Sequence, residues 1–165
     1  MIILGVDPGL AIVGWGVVDY TRGRFTVLGY GSIQTPAGTR TEARLLQIYR
    51  ELDTIIRKYH PEEMAVEELF FTNNITTGIR VAEARGAVLL CGEAHGVRLA
   101  EYTPMQVKQA VVGYGKAEKK QVIAMVTSIL KLKAPPRPDD TADALAIAVC
   151  HGNCGGSLLA QYYNN

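Results

Sequence analysis

The amino-acid order predicts an α/β fold. The expected architecture is a mixed five-stranded sheet, a three-strand antiparallel meander joined to two parallel strands, with helices on both faces. Two observations carry this reading. Residues 2–34 form three apolar, β-branched runs separated by turn signals. Beyond residue 40 the apolar period lengthens to the i, i+3, i+4 spacing of helices, and short apolar runs alternate with those helical stretches.

The elements follow in order. Ile2–Val6 is short, continuous and β-branched, and Pro8-Gly9 turns the chain after it. Ile12–Asp19 and Phe25–Gln34 flank Thr21-Arg22-Gly23-Arg24, a hairpin turn. Leu45, Ile48, Leu52, Ile55, Ile56 and Tyr59 define an amphipathic helix over about 41–59, with Thr41 as its expected N-cap and Pro61 as its stop. Met64–Glu67 is a fourth strand. A helix follows over about 75–95, rich in alanine and leucine, then a fifth strand at Val97–Tyr102. Pro104–Val112 reads as helical, and Gly113-Tyr114-Gly115 breaks it. A further helix runs over about 117–130, and Pro135-Pro136-Arg137-Pro138 is a stiff connector. Asp139 and Asp140 open a last helix that is expected to end at Cys150, before Gly152, Gly155 and Gly156.

At 165 residues, with 48% apolar and 20% charged residues, the chain suits one globular domain, taken as 1–151. Residues 152–165 are read as a C-terminal tail and a candidate for disorder. No apolar run approaches the roughly 18 residues of a membrane span, and Met1 leads directly into Ile-Ile-Leu-Gly-Val without a basic, cleavable leader. The expected compartment is the cytoplasm, with no membrane partner. Cys91, Cys150 and Cys154 cannot all pair within one chain, so reduced thiols are expected. Cys150, His151 and Cys154 supply at most three zinc ligands and lack a second Cys/His pair to close a tetrahedral site.

Net charge is only +1, but it is unevenly spread. Residues 104–133 hold Lys108, Lys116, Lys119, Lys120, Lys131 and Lys133 against one acid, Glu118, for a block charge of +5. The remainder is −4. A basic block on an acidic body points to a polyanion, most simply nucleic acid, although a solvated lysine-bearing helix face would give the same composition.

The acids suggest chemistry. Asp7 ends the first strand and Glu67 the fourth, each after two apolar residues. In an open sheet the site lies beyond the carboxyl ends of the parallel strands. Asp140 and Asp143 share a face in the first turn of the last helix, and Asp139 and Asp143 share one equally well. Taken singly, each acid has a plain role as a turn, cap or strand-end residue. Gathered at one edge they would repel one another unless a cation or a raised pKa relieved them. An all-oxygen set favours Mg²⁺ or Mn²⁺, and two such ions roughly 3.5–4 Å apart serve phosphodiester cleavage. Asp-x-Gly before a glycine-bearing strand also opens the phosphate loops of actin-like and sugar-kinase-like ATPases. Those folds need a second such loop, and this chain has none, nor a GxxxxGK[ST] or GxGxxG motif.

The motifs resemble those of a known family. Leu4-Gly5-Val6-Asp7-Pro8-Gly9 with Gly14-Trp15-Gly16-Val17-Val18 resembles the opening of RuvC-type Holliday-junction endonucleases. Ala65-Val66-Glu67 with Phe70, then Glu83-Ala84-Arg85-Gly86, resembles their central block. Gln106-Val107-Lys108-Gln109 and Val111 through Lys119 resemble the basic stretch, and Asp140 through Ala148 the closing block. The resemblance spans about residues 2–151 in one order. It implies a ribonuclease H-like fold and a homodimer that cuts two opposed strands of a four-way DNA junction, leaving 5′-phosphates. It implies Asp7, Glu67, Asp140 and Asp143 as catalytic and metal-binding acids, selecting Glu67 over Glu68 and Asp140 over Asp139, which is left as the expected N-cap of the last helix. It implies Mg²⁺, with Mn²⁺ as an alternative, at two ions per site. Phe70, Arg85, Lys108, Lys116, Lys119 and Lys120 become candidate DNA contacts, and the branch-migration proteins RuvA and RuvB candidate partners. Two other readings remain: a non-catalytic nucleic-acid-binding domain on the same fold, and a related nuclease acting on RNA or RNA–DNA hybrids.

Overall fold

A computed structural model describes residues 1–69 and 75–154. Its strands are β1 (Ile2–Asp7), β2 (Ile12–Thr21), β3 (Arg24–Gln34), β4 (Glu63–Glu67) and β5 (Arg98–Tyr102). Its helices are α1 (Thr41–Tyr59), α2 (Ile75–Ala94), α3 (Pro104–Val112), α4 (Lys119–Ile129) and α5 (Asp139–Cys154). The sheet order is β3-β2-β1-β4-β5. β1, β2 and β3 pair antiparallel, and β1–β4 and β4–β5 pair parallel. The expected mixed sheet is therefore the observed one.

Strand alternation divides the side chains between two cores. Leu4, Val6, Val13, Val17, Met64 and Val66 face α1 and α2, with Ile48, Leu52 and Val88 against them. Ile3, Val18 and Ala65 face α5, which brings Leu145 and Ile147, while α3 and α4 add Val107, Val111, Val122 and Val126. By the same alternation Asp7 and Glu67 share the α5 face.

α5 is the central element of that layer. Between its acidic first turn and His151 its sequence is apolar around the whole circumference, and Ala142 and Ala144 through Cys150 are all buried. A helix without a polar face belongs inside. It lies unusually close to the sheet because the strands beneath it carry glycines. A Cβ on Gly5 would sit 2.1 Å from the Ala144 carbonyl oxygen, and one on Gly14 would sit 1.9 Å from that of Asp140.

Several element ends differ from expectation. α5 continues past Cys150 to Cys154, because Gly152 packs under Phe25 and Tyr20 of the β2–β3 hairpin instead of ending the helix. Arg40 occupies the cap of α1, with Thr41 the first helical residue. Asp139 is likewise inside the first turn of α5 and not its cap. α4 begins at Lys119, since the Glu118 N–H donates to Gln121 Oε1 (2.8 Å) and sets the start there. α3 carries the full reciprocal cap, Thr103 with Gln106.

The end of α5 remote from the two strand-end acids is held by a buried polar chain. The Tyr102 hydroxyl lies 2.8 Å from His151 Nδ1, and His151 Nε2 meets the Glu63 carboxylate, which also pairs with Arg98. If the hydroxyl donates to Nδ1, Nε2–H is left to donate to Glu63, so every member is satisfied. His151→Ala would leave the buried Tyr102 hydroxyl without its acceptor and Glu63 with Arg98 alone. We expect a stability loss of about 3 kcal/mol by urea denaturation.

Candidate active site

The site is built where β1, β4 and α5 meet. Val6 pairs with Val66 in parallel register, so Asp7 and Glu67 leave adjacent strand ends side by side. Asp7 is also opposite Gly14 on β2. Since Gly14 offers no Cβ, the first turn of α5 sits directly over that position, and Asp140 and Asp143 reach the same edge. Thr141, fully buried between them, donates from Oγ1 to the Gly31 carbonyl (3.1 Å) and pins the turn to β3.

The electrostatics show how close the four acids are. Burial, then the charges of Glu67, Asp143 and Asp140, push the Asp7 carboxyl up to about 8, against a smaller lowering by Lys119. Glu67 is raised by burial and by Asp143, with Lys119 and Lys108 opposing. Asp143 is raised chiefly by burial, although Lys119 Nζ lies 2.8 Å from its Oδ2. Burial works against charge on Lys119, but the Asp143 hydrogen bond and charge outweigh it, so its pKa is raised.

Of the neighbouring acids, Glu68 stands apart from the cluster and Asp139 borders it, close enough to raise Asp143. Glu68 is exposed beyond the end of β4, its N–H bound to the Tyr102 carbonyl. Asp139 Oδ1 lies 2.5 Å from Arg137 Nη1, and Lys119 is 4.0 Å from its other oxygen. Asp140, not Asp139, acts on the charge of Asp7.

The basic residues fall into distinct places. Lys119 is inside the acid cluster, a location its spacing gave no sign of. Lys108, on α3, is near enough to lower Glu67. Lys116 and Lys120 are exposed around the start of α4. Arg85 is largely covered on α2, with Nη2 2.5 Å from Glu101 Oε2 and Nε buried without a partner among the described residues. Phe70 lies outside the described residues.

The donor set suits a hard divalent cation: four carboxylates, of which Asp7, Glu67 and Asp143 are raised by burial and by neighbouring negative charge, both of which a cation would offset. As the side chains stand, no three His, Cys, Asp or Glu groups among the described residues close around one point. Lys119 takes Asp143 in the meantime.

A sheet of this order with acids at the ends of β1 and β4 and at the head of α5 defines a ribonuclease H-like protein of the nuclease kind. The family model for crossover junction endodeoxyribonuclease RuvC matches residues 3–151. The chain belongs to that family. A relative of that name from Alkaliphilus oremlandii is 54% identical over 155 residues, covering 94% of each chain. Another, from Ruminiclostridium cellulolyticum, is 53% identical over 163 residues and covers 98% of each. Among solved structures, RuvC of Thermus thermophilus in complex with a Holliday junction substrate superposes with a TM-score of 0.89 at 38% identity, over 94% of each chain.

Proposed function

We propose that this protein resolves Holliday junctions as a metal-dependent endodeoxyribonuclease, hydrolysing two opposed strands of a four-way junction. The single observation that supports it most is the cluster of Asp7, Glu67, Asp140 and Asp143 on a chain whose family is that of crossover junction endodeoxyribonucleases. In this reading the four acids hold Mg²⁺ or Mn²⁺, two ions per site, and the ions activate water and stabilise the leaving oxygen when bound.

The chain's own groups supply the rest. Asp7 must lose its proton to act as a ligand, which the incoming cation favours over the buried, crowded apo state. Lys119 neutralises Asp143 until it is displaced toward the substrate phosphate. Lys108, beside Glu67, offsets charge as the polyanion approaches. Lys116 and Lys120 extend that basic surface for the junction arms. Phe70 is assigned to stacking on a base near the crossover. Arg85, tied to Glu101, serves binding by ordering the edge of β5 more than by touching DNA.

Two symmetric cuts need two sites, so the protein acts as a homodimer. Ile79 and Leu90, 51% and 63% exposed on one side of α2, offer an apolar stripe for the twofold contact. Docking with RuvA and RuvB and a cytoplasmic place rest on the family alone. No helix among the described residues is long and apolar enough to cross a membrane.

The test is cleavage of a four-way junction, a linear duplex and an RNA–DNA hybrid, with Mg²⁺ and with EDTA, at a concentration where sedimentation reports the oligomer. Paired nicks confined to the junction and to the Mg²⁺ arm are expected from a dimer. Preferential cutting of the hybrid would move the substrate to RNA, and binding without cutting would leave a scaffold domain.

A further inference from the structure

A cavity of about 350 Å³ opens beside the acid cluster, on the side away from α3 and α4. The Gly9–Ile12 turn after β1 forms one wall, Arg44 of α1 and Arg80 of α2 line it, and Asp140 borders it toward the acids. Neither arginine was marked out by sequence, because they are 36 positions apart on different helices.

Arg44 is half-buried and fixed. Its Nε donates to Thr35 Oγ1 (2.7 Å), and Nη2 donates to the carbonyls of Leu10 (3.3 Å) and Thr35 (3.5 Å). Thr35, itself buried, donates to the same Leu10 carbonyl at 2.5 Å. All these partners are neutral. Among the described residues no carboxylate pairs with Arg44 or with the exposed Arg80. Neutral acceptors replace part of the hydration a half-buried guanidinium gives up, but they supply no counter-charge, and an anion does. Its rigid seating also means that little side-chain entropy is lost when the anion arrives.

The adjoining acids decide which anion fits. Asp140 at the border repels a free anion. A phosphate in a strand already seated across the acid cluster is carried there by its neighbours, and pays that cost collectively. We propose that this cavity is a phosphate subsite, in which Arg44 at the base and Arg80 at the mouth hold a backbone phosphate of the scissile strand adjacent to the one being cut. The proposal rests on the nuclease reading above and extends the DNA path to a face that carries none of the lysine block.

The experiment pairs Arg80→Gln with single methylphosphonate linkages, each neutralising one phosphate on either side of the cut. Arg80 is exposed, so the variant keeps the fold. Junction affinity at about 0.1 M salt should fall roughly tenfold, and the slope of log K against log salt should drop by about 0.9. One methylphosphonate position should cost the wild type at least as much as the substitution does, and should cost Arg80→Gln, which keeps only the Arg44 contact, clearly less. An unchanged salt slope, or additive losses at every linkage, would overturn the subsite. Arg44→Lys, which keeps the charge but cannot span Thr35 and Leu10, should weaken binding at that same linkage only. Binding is measured without metal, so the subsite is decided even if the wild type fails to cut the junction; that failure would fall on the nuclease reading instead.

Discussion

Asp7→Asn is expected to reduce junction cleavage by on the order of 10³-fold, as loss of a group worth several kcal/mol to the transition state requires. It should also make the metal-free protein more stable. The Asp7 carboxyl is pushed from its ordinary 3.8 up to about 8 in the fold, so the fold prefers it protonated. Its contribution to stability is full below pH 3.8 and is lost as pH rises to about 8, because ionisation then costs more in the fold than in the unfolded chain. In EDTA the wild-type melting temperature should therefore fall across that window by on the order of 10 °C, since each kcal/mol moves a domain of this size by roughly 2–4 °C. Asparagine never ionises, so the variant's curve should be flatter and should lie above the wild type at pH 8. Added Mg²⁺ should raise the wild type at pH 8 and leave Asp7→Asn nearly unmoved. A wild-type melting temperature in EDTA that does not change between pH 4 and 8 would show that Asp7 is not crowded by its neighbours. Junction binding in the absence of metal should survive, because the arginines and lysines are untouched.

Gly14→Ala is expected to be the other severe change, although it removes no charged group. The new methyl would lie 1.9 Å from the Asp140 carbonyl oxygen, and that atom is helix backbone, which cannot rotate away. The first turn of α5 must withdraw by more than an ångström, stretching the Thr141 bond to Gly31 and carrying Asp140 and Asp143 from Asp7. A displacement of that size costs about a hundredfold in rate, with a stability loss of about 1–3 kcal/mol from overpacking. The half-saturating Mg²⁺ concentration should rise along with the loss of rate, and excess Mg²⁺ should recover part of it. A variant that is merely less stable would show the wild-type Mg²⁺ dependence at low temperature, and that result would remove Gly14 from the positioning of the acids.

These cases show which parts of the site are legible in a sequence. Strand and helix periods are local, so the five strands, five helices and the ends that carry Asp7 and Glu67 could be read directly. The acids stood out because carboxylates are rarely placed next to a core without a purpose. Relationships between distant segments were not visible. Gly14 reads as one of several strand glycines until α5 is seen over it. Lys119 reads as part of a basic stretch, yet it is the counter-charge of Asp143. The arginines of the cavity come from two helices that sequence joins only through a strand. Gly152 reads as a helix stop, because packing against Phe25 and Tyr20 leaves no mark on local pattern.

The order of synthesis gives α5 a further meaning. A chain emerges from its N-terminus, so β1 and β2 are made with Gly5 and Gly14 facing no partner, and the helix that covers them comes after every other element among the described residues. Until it is complete, Asp7 and Glu67 stand without Asp140 and Asp143, and one whole core lacks its centre. A nascent or prematurely ended chain therefore exposes a sheet face that chaperones can hold, but it carries half of a cutting centre. A protein that severs DNA strands gains its full set of acids only once the start of α5 has been made and folded.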